Sequence, residues 1–107
     1  MISCVYSSDE WKSANARFAA YFFGNGETWE DLALVEGTDN IYGCEIPEGF
    51  TKVIFCRMNP NSTTNGWTQN EQKWNQTSDL AIPTDGNNLY TVEGGTWDKG
   101  NGTWSAM

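Results

Sequence analysis

Short apolar runs, broken by clusters of Gly, Asn, Asp and Pro, repeat along this chain. That pattern predicts an all-β protein. The candidate strands are ARFAAYFF (16–23), WEDLALVE (29–36), IYGCEIP (41–47), TKVIFCRM (51–58), SDLAIP (78–83), NLYTVE (88–93) and GTWSA (102–106). Seven short strands in about 100 residues suggest an immunoglobulin-like β-sandwich of about seven antiparallel strands. Pro47 and Pro83 close two of the runs, as residues lacking a ladder N–H should. EGTDN, PEG, TDGNN and KGNG supply turn chemistry. The start differs: Ser7 with Glu10 three residues on reads as a capping box, so residues 1–14 are expected as an extension or linker with one short helical turn, and 15–107 as the sandwich.

Alternation sorts the side chains into faces, because successive strand residues point to opposite sides. In ARFAAYFF, Phe18, Ala20 and Phe22 share one face, and Arg17, Ala19, Tyr21 and Phe23 the other. An unpaired buried arginine is costly, so the Arg17 face cannot be the deep core, and Tyr21 and Phe23 should lie on or near the exposed face. In WEDLALVE each face mixes charge with apolar residues and the alternation does not decide. Phe22, Val53, Phe55 and Leu80 are expected in the core. Arg57 shares a face with Val53 and Phe55 and must therefore lie near its strand end.

Residues 59–77 (NPNSTTNGWTQNEQKWNQT) show no period. Structureless connections of that length are usually functional or disordered, and disorder seldom carries two tryptophans. An ordered loop that packs Trp67 or Trp74 inward is expected.

Acidic residues outnumber basic ones 14 to 6, for a formal net charge of -8. Nucleic acids and anionic membranes are poor partners for such a chain. Histidine is absent, which removes the commonest general base and metal ligand. Cys4, Cys44 and Cys56 form no C-x-x-C motif; Cys44 and Cys56 read as buried thiols, with a disulfide between them as the lesser option. No apolar run approaches a membrane span, and MISCVYSSDEW lacks the regions of a signal peptide. Glu27, Glu30 and Asp31 offer the paired carboxylates that glycosidases use, but on a domain too small for a deep cleft, so no enzyme is expected. TDGNN and DKGNG complete no calcium loop, and no metal or cofactor is expected.

Six tryptophans exceed what so small a core needs. Flat rings beside Asn, Gln, Thr and Glu suit sugars, whose apolar C–H faces stack on rings and whose hydroxyls seek short polar partners. The same rings would equally suit an immunoglobulin-like adhesion or assembly domain that uses them for protein contact. ARFAAYFFGNGETWEDL, IPEGFTKVIFCRMNP and KWNQTSDLAIPTDG resemble the starch-binding carbohydrate-binding modules of family 26, notably those of extracellular amylases and amylolytic assemblies of gut Firmicutes. The resemblance spans roughly residues 15–106. It implies a β-sandwich that binds starch, amylopectin and malto-oligosaccharides without catalysis, as a monomeric module of a larger extracellular or cell-surface protein. It assigns Tyr21 and Trp29 to the sugar-stacking rings, with Phe23 in the place of a second strand aromatic. From the later loop it offers Trp67, Gln69, Lys73, Trp74 and Gln76, of which Trp74 fits a buried anchor equally well.

Overall fold

The computed structural model describes residues 2–6, 11–92, 97–98 and 102–107. Its strands are β1 (Ile2–Tyr6), β2 (Arg17–Phe23), β3 (Glu27–Asp31), β4 (Ala33–Leu34), β5 (Ile41–Glu45), β6 (Lys52–Met58), β7 (Lys73–Gln76), β8 (Leu80–Ala81), β9 (Leu89–Val92) and β10 (Gly102–Ser105). Among the described residues the one helical element is a 3-10 turn at Ser13–Asn15. The protein is all-β. One sheet runs β10-β9-β1-β5-β4; the other runs β3-β2-β6-β7, with β8 also paired to β6. Among the described residues every pairing between these strands is antiparallel except β1 with β9, which is parallel.

The main core lies between the sheets. Val5 of β1 and Tyr90 and Val92 of β9 meet Phe18, Ala20 and Phe22 of β2 and Val53 and Phe55 of β6. Trp11 closes one end, stacked on Phe18 at 6.3 Å. Leu80, Phe50 and Trp104 pack against this core while keeping partial exposure. Trp97 stays exposed. Its backbone carbonyl accepts a bond from the Trp11 indole N–H.

The structure corrects four expectations. The N-terminal segment is no extension ahead of the sandwich: β1 pairs with both β5 and β9 and buries Val5 completely. The Ser7–Glu10 capping box lies outside the described residues. Among the described residues the strands number ten rather than about seven, partly because WEDLALVE is not one strand. β3 pairs with β2 and β4 with β5, so the chain changes sheets at Leu32, whose side chain is buried between them. A single alternation cannot serve two sheets, which is why the pattern there was indecisive. Finally, the unpatterned 59–77 segment ends in a real strand, β7, on the edge of the second sheet.

Arg57 is buried at the end of β6, on the core-facing side, where alternation placed it. Its guanidinium is fully provided for. Nε donates to the Trp11 carbonyl at 2.6 Å, Nη1 to Asn75 Oδ1 at 3.0 Å and Nη2 to the Ser13 carbonyl at 2.9 Å. The Trp74 and Trp97 rings lie 4.6 and 5.2 Å from its carbon. Burial lowers its pKa, but with every face occupied the charge is tolerated.

Candidate functional site

The second sheet carries a further apolar layer on its outer side. Ala19, Ile54, Cys56 and Met58 are buried there, and Tyr21, Phe23 and Trp29 pack against them. Residues 59–67 reach this face, bonded to Arg17 and Asp31 and ending in Trp67 beside Tyr21 and Trp29. Ala19 shares the Arg17 face yet has no exposure, buried within this outer cluster.

The β2–β3 hairpin places the first two rings. Phe23 pairs with Glu27, leaving a three-residue loop, Gly24-Asn25-Gly26. Gly24 and Gly26 have φ of +102° and +86°, a region costly for residues with a Cβ. A Cβ on Gly24 would also collide with Thr51 Oγ1. This loop length puts Tyr21 directly opposite Trp29. Their rings lie 5.1 Å apart, tilted by 54°. Phe23 stacks beside Tyr21 at 5.4 Å.

The third ring comes from the loop. Trp67 sits 5.0 Å from Tyr21, edge-on at 77°, and 4.8 Å from Trp29 at 53°. Tyr21, Trp29 and Trp67 are therefore mutual neighbours. Trp67, at 41% exposure, is the most open of them. Tyr21 and Phe23 are half-buried rather than open, which corrects the expectation from alternation, and Trp29, on the strand where alternation did not decide, is half-buried too: neighbouring rings cover part of each. The Tyr21 hydroxyl donates to the Glu27 carboxylate. That bond, more than desolvation or the neighbouring charge, raises the Tyr21 pKa above its ordinary value, because the phenol must keep its proton to donate.

The remaining loop residues do not join the rings. Trp74 lies on Arg57, as an anchor. The Gln69 amide donates to the Trp74 carbonyl at 3.0 Å, and the Lys73 ammonium to Gln76 Oε1 at 2.8 Å. Gln76 pairs with Cys56, which pairs with Ala19, which pairs with Asp31. Gln76 is thus three strands from β3, about 14 Å at ~4.8 Å per strand. In the sequence Glu27 stands out only as one of the paired carboxylates. Its role as the partner of Tyr21 depends on a diagonal contact across the hairpin that strand assignment alone does not show.

Other chemistry on this face is committed elsewhere. Asp31 accepts from Asn65 Nδ2 at 2.9 Å and lies 3.7 Å from Arg17. Glu30 pairs with Ala20 and so lies on the opposite face of β3 from Glu27 and Asp31. Among the described residues, no three Cys, Asp or Glu side chains converge as metal ligands would. The Asp85 carboxylate caps its own turn by accepting from the Asn87 N–H at 3.0 Å. Cys44 belongs to the first sheet and is half-buried, while Cys56 is buried on the outer side of the second, and no disulfide joins them. No helix among the described residues is long and apolar enough to cross a membrane.

Compared with protein-family models, curated proteins and solved structures, the chain matches none.

Proposed function

We propose that this chain is a non-catalytic module that binds starch-type α-1,4-glucans, as part of a larger extracellular or cell-surface amylolytic protein. The observation that carries the reading is the cluster of Tyr21, Trp29 and Trp67 on the outer face of the second sheet. Rings inclined by 53° to one another suit a helically curved glucan better than a flat chain, which would call for coplanar rings. Glu27 at the Tyr21 hydroxyl and Thr68 beside Trp67 offer polar groups to sugar hydroxyls. The resemblance of the β2–β3 and β6 segments to family 26 starch-binding modules points the same way. The absence of catalysis is supported by the carboxylates: Glu27 is bonded to Tyr21, Asp31 to Asn65, and Glu30 faces away from both.

Affinity electrophoresis tests the reading. The protein should be retarded in gels containing soluble starch, amylopectin or glycogen. Trp67→Ala should weaken binding about 5- to 150-fold, the loss of one stacked ring at about 1–3 kcal/mol. Because Trp67 is 41% exposed and lies outside both buried clusters, the variant's melting temperature should stay within a few degrees of the parent's. Unchanged mobility of the parent in all three glucans would overturn the reading and favour a protein-contact role for the rings.

A further inference from the structure

Trp67 sits in a stretch with no regular structure, and a ring on a free loop would have to be ordered at the moment of binding. The first half of the loop is instead tied to β2 through one side chain. The Arg17 guanidinium, at the start of β2, donates from Nε to the carbonyls of Asn59 at 3.3 Å and Ser62 at 3.2 Å. Its Nη1 donates to Asn65 Oδ1 at 2.6 Å, and its Nη2 to the Thr64 carbonyl at 2.7 Å. Asn65 in turn donates to Asp31 of β3. Trp67 follows two residues later. Between them, Gly66 passes so close to the Gln72 side chain that a Cβ would collide with it. Gln72 is itself held by Thr64 Oγ1 at 2.8 Å and the Thr68 N–H at 3.3 Å.

We propose that Arg17 is a positioning residue of the glucan site: its fork of bonds to residues 59–65 holds the loop so that Trp67 closes on Tyr21 and Trp29. The inference takes its ligand from the glucan-binding reading and rests on it to that extent, but its geometry stands alone. Arg17 does not itself reach a sugar stacked on the rings. It lies four residues along β2 from Tyr21, about 13 Å at ~3.3 Å per residue. The bonds to oxygens, rather than the ion pair, carry the effect. Asp31 is 79% exposed and 3.7 Å away, a geometry that contributes little. Only a planar guanidinium presents donors in the several directions these oxygens occupy; a lysine ammonium offers a single point.

Two indoles 4.8 Å apart and inclined by 53° should give an exciton couplet in far-ultraviolet circular dichroism, which reads the Trp29–Trp67 geometry with no ligand present. The parent should show it and Trp67→Ala should not. Arg17→Lys should stay folded, lose the couplet, and bind starch about 5- to 150-fold more weakly, as Trp67→Ala does. The double variant should be no weaker than either single one, because both remove the same ring from the site. In about 1 M sodium chloride, where the Debye length is about 3 Å, the parent couplet should persist. An Arg17→Lys protein with couplet and affinity intact, losses that add in the double variant, or a couplet abolished by salt would each overturn the assignment. If Arg17→Lys does not fold, Asn65→Ala decides: a weakened couplet supports the assignment and an unchanged one overturns it. A parent with the couplet but without starch binding would overturn the glucan reading and leave Arg17 to be judged on the couplet.

Discussion

Cys56 shows how one residue's surroundings set its chemistry. It lies in the outer cluster of the second sheet with no exposure, and burial pushes its thiol pKa up to about 12, helped by Asp98 and opposed by Lys73. The thiolate is the reactive form, so native Cys56 should resist thiol reagents at neutral pH and label only on unfolding. The shift also has a sign for stability. Above the ordinary thiol pKa of 9.0 the unfolded chain releases this proton while the folded one keeps it. The folded state then binds more protons, and stability falls as pH rises from about 9 towards 12, by about 1 kcal/mol per pH unit. Urea titrations across that range should show a shallower alkaline decline in Cys56→Ala than in the parent. Equal slopes would show that Cys56 ionises freely in the fold. Tyr21 is raised for a different reason, its bond to Glu27, so Glu27→Gln should bring its titration back towards the ordinary value.

At the level of elements, the β2–β3 hairpin determines the site's register. Tyr21 faces Trp29 because three residues connect Phe23 to Glu27. The loop closes so tightly only because Gly24 adopts a positive φ against Thr51, whose N–H donates to the Phe23 carbonyl at 3.1 Å. Gly24→Ala should therefore destabilise by about 1–3 kcal/mol through backbone strain and the clash with Thr51. Thermal unfolding would measure it, and a melting temperature equal to the parent's would show that the turn relaxes at no cost. β7 makes the contrasting case. Its side chains share no apolar face, and it exists because β6 offers it an edge and Arg57 offers Trp74 a seat.

Across the whole molecule the second sheet packs on the first through one side and carries a smaller buried cluster and the Tyr21–Trp29–Trp67 rings on the other, so the main core and the proposed binding rings lie on opposite faces of the same strands. Phe55 and Trp67 should separate them. Phe55 is fully buried between the sheets, and Phe55→Ala should cost about 3–5 kcal/mol of stability while leaving the glucan affinity of the folded fraction unchanged. Trp67→Ala should do the reverse. Chemical unfolding read alongside starch affinity checks both, and a loss of affinity in folded Phe55→Ala would mean that the inner core, not the loop, sets the ring geometry.

Much of this was readable from the chain. Alternation alone put Phe18, Ala20 and Phe22 inward with Val53 and Phe55, put Tyr21 and Phe23 outward, and placed Arg57 at a strand end. These are local consequences of a two-residue period meeting one buried face. What alternation could not reveal depends on partners distant in sequence. Ile2–Tyr6 is a strand because β5 and β9 flank it. Leu32 marks a change of sheet because two different edges receive its neighbours. Sequence offered the loop candidates Trp67, Gln69, Lys73, Trp74 and Gln76 with Trp74 also readable as an anchor, and only the folded chain sent Trp67 to Tyr21 and Trp29 and Trp74 to Arg57. A loop without a period carries no internal signal of where its side chains go. Its course is decided by the hydrogen-bond donors it meets, here those of Arg17, which sequence could mark as a charge kept out of the deep core but not as the group around which residues 59–65 fold.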